Sequence, residues 1–90
     1  MLESKVQRKL IEQLEKEGYY VIKLSVTNKN GIADILALPP GCSAEFYEVK
    51  QKGKRPAPLQ IYRANELKKY GIKTYLYDGD KEELWKKINW

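Results

Sequence analysis

The run Gly31-Ile-Ala-Asp-Ile-Leu-Ala-Leu38 constrains what this chain can fold into more than any other stretch. From Ile32 to Leu38 it is apolar on both faces, with Ile32, Leu36 and Leu38 on one and Ala33, Ile35 and Ala37 on the other. Such a strand belongs in the middle of a sheet that is covered on both sides. Asp34 breaks the run. A carboxylate in such a place is costly unless it is paired, hydrogen-bonded or bound to a metal.

The flanking text supplies the covering layers. Residues 2–17 place Leu2, Val6, Leu10, Ile11 and Leu14 at helical spacing, and Gly18 is a natural stop. Tyr19–Leu24 is rich in aromatic and β-branched residues and reads as a strand. Thr27–Gly31 is a polar turn, and Pro39–Ser43 breaks the apolar run. Ala44–Lys50 reads as a third strand, Lys52–Pro58 as a loop and Leu59–Tyr70 as a helix stopped at Gly71. Lys73–Tyr77 is a fourth strand and Lys81–Ile88 a short final helix. The order is αβββαβα, an α/β fold. The first three strands can form a meander, and the fourth can return by a crossover.

Ninety residues make a single domain, 1–90. Its core is small enough that a second copy would help to stabilise it. With 42% hydrophobic and 32% charged residues the composition argues against disorder. The formal net charge of +5 favours polyanionic partners, although mild basicity also serves solubility. Cys42 is the single cysteine, so no intramolecular disulfide can form, which fits a reducing compartment. Without histidine the chain cannot build a His-based triad, and with one cysteine it cannot build an ordinary zinc site. The Met1-Leu-Glu-Ser-Lys start does not read as a signal peptide, and no apolar run is long enough to span a membrane. The expected location is cytoplasmic.

Four further polar residues fall where apolar ones are expected. On a wheel of about 100° per residue, Leu2, Val6, Leu10 and Leu14 fall between about 200° and 320°, and Glu3 falls inside that stripe at about 300°. Glu3 can turn inward towards a site, or bend to solvent and favour the helix dipole from the first turn. Thirteen residues after Asp34 comes Glu48, which opens Glu48-Val-Lys50. Residues two apart in a strand share a face, so Glu48 and Lys50 point the same way. Taken singly, each has an ordinary explanation in a buried ion pair or a cross-strand pair. Taken together, Asp34, Glu48 and Lys50 make one site. Gln60 sits at the edge of the stripe formed by Leu59, Leu67 and Tyr70. It can cap the helix start or lean over the sheet towards the acidic patch.

The residue types select the chemistry. Mg²⁺ takes octahedral oxygen ligands and keeps several waters. Asp34, Glu48 and the Val49 backbone carbonyl would supply an open oxygen site. A cation there would activate a bound water and shield charge building on a phosphate. Lys50 could hold the attacking water or the scissile phosphate. Lys52, Lys54 and Arg55 suit phosphate-backbone contacts on a loop, with Lys29 as a further contact, or else form a solvated charge run.

The spacing Asp-x13-Glu-x-Lys resembles the core of the PD-(D/E)XK nucleases. The fuller pattern is similar to the virus-type replication-repair nuclease (VRR-NUC) domain: Glu3, Gly18-Tyr19, Gly31-Ile-Ala-Asp34, Phe46-Tyr-Glu48-Val-Lys50, Leu59-Gln60 and Leu67-Lys-Lys-Tyr-Gly71, in order over almost the whole chain. The resemblance implies a restriction-endonuclease-like mixed sheet of about four strands flanked by helices. It also implies metal-dependent hydrolysis of DNA, with Mg²⁺ as cofactor and Mn²⁺ able to substitute. In that pattern Asp34 and Glu48 would be metal ligands, Lys50 the catalytic lysine, and Gln60 and Glu3 would complete the site. Stand-alone members are similar to Holliday-junction resolvases, homodimers that act on four-way DNA junctions. Ala33 departs from the pattern, where the family usually has proline. A proline there ligates nothing, so little effect on the chemistry is expected.

Ile61 and Tyr62 fall off the inward stripe of their helix. With Trp85 and Trp90 they are candidates for a dimer surface, or for filling a small core. Two other functions fit the same text. One is a nickase or end-processing nuclease without junction preference. The other is a non-catalytic DNA-binding module that needs the basic face but not the acid pair.

Overall fold

The structure, a computed structural model, describes residues 3–41 and 43–79. Helix α1 (Glu3–Lys16) forms where leucine and valine recur every four residues, and it buries Val6, Leu10 and Leu14. It ends in a Schellman motif: Gly18 takes φ 92°, its N–H donates to the Glu15 carbonyl, and the Tyr19 N–H donates to the Leu14 carbonyl. Strands β1 (Tyr20–Lys23), β2 (Ile35–Leu38) and β3 (Glu45–Val49) form an antiparallel meander. Helix α2 (Pro58–Lys69) then carries the chain over to β4 (Lys73–Tyr77), which pairs with β3 in parallel. The sheet order β1-β2-β3-β4 makes β2 and β3 the central strands.

Alternation along the strands sorts the two faces. Ile35 and Ala37 of β2, Tyr47 and Val49 of β3, and Tyr75 and Tyr77 of β4 are buried with Val6, Leu10 and Leu14 of α1 in one core. The Tyr47 and Tyr75 rings stack at 5.3 Å. The intervening residues, among them Leu36, Phe46 and Glu48, face the other side, where α2 lies. No helix among the described residues is long and apolar enough to cross a membrane.

The architecture is the α/β mixed sheet read from the sequence, with three corrections. Asp34 does not lie within the central strand but one residue before β2, in a bend. Continuing the β2–β3 register past Ile35↔Tyr47 would set Ala33 opposite Val49. Instead the Asp34 carboxylate takes the Val49 N–H at 2.9 Å, and the ladder stops there. The expected inward stripe of α2 also fails. The helix has no buried residue, Leu59 is 43% exposed and Tyr70 83%. Tyr70 lies beyond the last helical residue as the C-cap, so a helical wheel does not extend to it. Leu59, in the first turn, lies close against Gly31. Finally, Lys50 falls just past the end of β3 rather than inside it. The final helix expected over Lys81–Ile88, and Cys42, Trp85 and Trp90, lie outside the described residues.

Gly31 is required twice over. Its φ is +83°, and a Cβ there would come within 2.6 Å of the Leu59 side chain and 3.1 Å of its backbone. Gly31→Ala is expected to cost about 1–3 kcal/mol, read as a lower urea midpoint with an unchanged slope.

Candidate active site

Each acidic residue reaches the site from a different segment, and the meeting point is where β2 and β3 part. Asp34 is held by the Val49 N–H, while its own carbonyl accepts the Leu24 N–H at 2.8 Å. Glu48 alternates onto the face opposite the α1 core. Glu3 arrives from the first turn of α1, half-buried. One carboxylate oxygen from each of Glu3, Asp34 and Glu48 lies within 4.8 Å of the other two.

Glu48 is only 1% exposed. Its Oε2 accepts from Gln60 Nε2 at 2.9 Å and faces Lys50 Nζ at 3.6 Å. Its Oε1 is buried with no hydrogen-bond partner among the described residues. Burial, and then the neighbouring Asp34 carboxylate, push the Glu48 carboxyl up to about 8 from an ordinary 4.5, against the opposing pull of Lys50. Burial therefore favours the protonated form of this group, and a cation would favour the charged one.

Gln60 performs both roles that its position left open. Its Oε1 accepts the Ala57 N–H at 2.7 Å, which caps α2, and its amide nitrogen donates to Glu48. Ala57 has no side-chain oxygen, so only half of a capping box can form. The two partners also fix the amide orientation, since an N–H needs the oxygen and a carboxylate needs the nitrogen.

The Val49 carbonyl direction follows from the peptide that joins it to Lys50. The Lys50 N–H donates to the Tyr77 carbonyl of β4 at 3.0 Å. No peptide among the described residues is cis, so the Val49 carbonyl points away from β4, towards the Asp34 side.

The structure thus brings together Glu3, Asp34, Glu48, Lys50 and Gln60, with the Val49 carbonyl beside them. It does not bring Lys29, Lys52, Lys54 or Arg55 into the cluster, and all four are exposed. Sequence reading missed Arg63. Its Nε donates to the Asn30 carbonyl at 2.8 Å, and its Nη1 bonds Glu66 at 2.8 Å. Arg63 therefore fastens α2, which carries Gln60, to the loop that leads to Asp34. Nothing in the local text marks it, because its acceptor is a backbone carbonyl 33 residues away.

A hard divalent cation fits this donor set. Three carboxylates converge, Lys50 stands beside Glu48, and the buried Glu48 Oε1 has no hydrogen-bond partner among the described residues. All the candidate donors are oxygens, which suits Mg²⁺ or Mn²⁺ rather than a thiolate- or imidazole-seeking metal.

The four-stranded mixed sheet with its flanking helices is restriction-endonuclease-like, the class of the PD-(D/E)XK nucleases. Among solved structures, one described as a VRR_NUC domain is 30% identical to this chain with a TM-score of 0.79, over 89% of this chain and 87% of that one. The chain belongs to the VRR-NUC family, whose fold is that of a nuclease. No family model matches the chain, and no curated protein does.

Proposed function

We propose that the protein is a divalent-metal-dependent endonuclease that hydrolyses DNA phosphodiesters, selective for branched DNA such as a four-way junction. One observation carries the reading: carboxylates from three separate segments converge within 4.8 Å, one of them beside Lys50, in a chain with a nuclease fold. Asp34, Glu48 and the Val49 carbonyl would hold Mg²⁺, with Mn²⁺ able to replace it, and Glu3 would hold one of its waters. The cation would supply an acidified water and charge shielding at the phosphate.

The remaining roles belong to the protein's own groups. Gln60 ties up Glu48 Oε2, so Oε1 would be the oxygen left for a cation. The Val49 N–H holds Asp34 in place before substrate arrives, so little reorganisation is needed. Lys50, less buried than Glu48, can hold the attacking water or the scissile phosphate. Lys29, Lys52, Lys54 and Arg55 would contact the DNA backbone, a role that fits their exposure and the net +5 charge. Junction selectivity follows if two copies pair and present two such sites, since a symmetric dimer matches a symmetric branch.

The test is cleavage of a labelled four-way junction, a flap and a plain duplex with Mg²⁺ or Mn²⁺, with sedimentation to give the number of copies. Junction cleavage by a dimer is expected. An intact junction under every metal condition would refute the proposal, and equal cutting of all three substrates would reduce it to a nuclease without branch preference. Lys50→Gln is expected to slow cleavage by about 10²–10³-fold, as loss of a transition-state contact does. Cation affinity, measured by calorimetry, is expected to hold steady in that variant.

A further inference from the structure

The turn between β1 and β2 holds the only Asn-Gly pair of the chain, Asn30-Gly31. We infer that Asn30 is a site of spontaneous covalent modification, in which its side-chain amide is lost and the main chain is rerouted through an isoaspartate. The modification stands on the turn alone. Only its effect on DNA cleavage rests on the nuclease reading above.

The reaction needs a nucleophile and an open path to it. The Gly31 nitrogen bonds to Cγ of the Asn30 side chain and gives up its proton to water. The Asn30 amide nitrogen leaves as ammonia, and a cyclic succinimide remains. Water then adds to one of the two ring carbonyls and breaks its bond to nitrogen. Opening at Cγ gives aspartate, and opening at the main-chain carbonyl carbon gives isoaspartate. One ammonia leaves, one water enters, and nothing is oxidised or reduced.

The structure leaves this path open at Asn30. The residue is exposed, and its side-chain amide makes no hydrogen bond among the described residues. The Gly31 N–H likewise has no partner among them, so the attack breaks no existing bond. Glycine also has no side chain to block the approach. Arg63 Nε donates to the Asn30 carbonyl at 2.8 Å, and that carbonyl belongs to the same peptide as the Gly31 nitrogen. A cationic donor draws charge out of the peptide, which acidifies its N–H and readies the nucleophile. On the succinimide the same donor polarises the main-chain carbonyl, so water opens the ring there and isoaspartate is the main product. Asn28 and Asn65 precede Lys29 and Glu66, whose side chains crowd the attacking nitrogen.

The consequence follows from which bond Arg63 keeps. In isoaspartate the former Asn30 carbonyl becomes a free carboxylate, and the guanidinium stays on it. The chain now leaves for Gly31 through the former side chain, longer by one carbon, about 1.5 Å. The tie to α2 therefore no longer holds the segment that leads to Asp34. Gly31 lies so close to Leu59 that a Cβ would come within 2.6 Å of its side chain, which leaves no room to take up the added length in place.

The experiment incubates native and urea-unfolded protein side by side at pH 8 and follows Asn28, Asn30 and Asn65 by peptide mass spectrometry. Asn30 is expected to convert in the native protein at no less than about a tenth of its rate in urea, a small difference in barrier. Isoaspartate should dominate, and Asn28 and Asn65 should stay intact. Asn30 still intact in the native protein after it has converted in urea overturns the assignment. Aspartate as the main product overturns the part given to Arg63. The isoaspartate form is then separated and compared with Asn30→Asp, which carries the new charge without the rerouting. It is expected to unfold at a lower temperature and to cleave DNA about 10²-fold more slowly, the cost of a displacement of about 1 Å at a reacting site. Asn30→Asp should stay near wild type. Unchanged unfolding and cleavage in the isoaspartate form overturn the link to Asp34. Fresh protein that cuts no DNA refutes the nuclease reading alone, and the mass spectra and unfolding temperatures still decide the fate of Asn30.

Discussion

Asp34→Asn is expected to abolish cation binding and to reduce DNA cleavage by at least about 10²–10³-fold, while the fold survives. The asparagine keeps an oxygen for the Val49 N–H that Asp34 now accepts at 2.9 Å, so the bond ending the β2–β3 ladder persists. What disappears is one carboxylate from a cluster of three acidic groups. The measurement pairs a Mn²⁺ titration by calorimetry with single-turnover cleavage, using circular dichroism to show that the sheet is intact. Wild-type binding heat in the variant would remove Asp34 from the site. Asp34→Ala should lose the same functions and stability besides, because it leaves the Val49 N–H without its acceptor.

Glu48→Gln is expected to do the opposite to stability. In the metal-free protein burial pushes the Glu48 carboxyl up to about 8, from the ordinary 4.5 of an unfolded chain. Below pH 4.5 both states are protonated and the carboxyl costs nothing. Between 4.5 and 8 the unfolded chain releases its proton while the folded protein keeps it, so stability falls as pH rises. Above 8 the penalty is complete. The gap between 4.5 and about 8 corresponds to an upper bound of roughly 5 kcal/mol. Glutamine carries no charge and still offers Gln60 an oxygen. The variant should therefore lose this slope and exceed the wild type by a few kcal/mol at pH 8–9 in EDTA. Saturating Mg²⁺ should reverse the ranking, since it stabilises only the protein that binds it. Urea denaturation at pH 5, 7 and 9, with and without Mg²⁺, checks all three statements. Parallel pH profiles for wild type and variant would mean that the buried carboxyl does not carry this proton.

These contrasting effects show what the sequence made legible. Strand assignments rested on apolar runs and turn residues, and these hold because local pattern and tertiary burial agree. Asp34, Glu48 and Lys50 were visible because each violates that pattern. Glu3 was visible for the same reason, as a charge inside a helical stripe. The α2 surface was not legible, since that helix packs against β4 without fully burying any residue, so no clear apolar stripe is needed to seat it. Gly31 against Leu59, and Arg63 on Asn30, are contacts between distant residues, one of them to a backbone atom, and neither leaves a periodic trace. The bend at Asp34 was hidden for a related reason. Composition suggests a continuous strand, and only the side chain's capture of a ladder donor shows where pairing ends.

That captured donor bears on how the site could decay. Asp34 satisfies a main-chain group, so discarding it harms folding as well as catalysis. Glu48 is a buried acid that the apo protein tolerates at a cost, and its replacement by a neutral residue removes that burden. In a lineage freed from selection for cleavage, Glu48 should be the first of the pair to go. Descendants that keep the aspartate but lack the glutamate would then be retired enzymes rather than alternative ones.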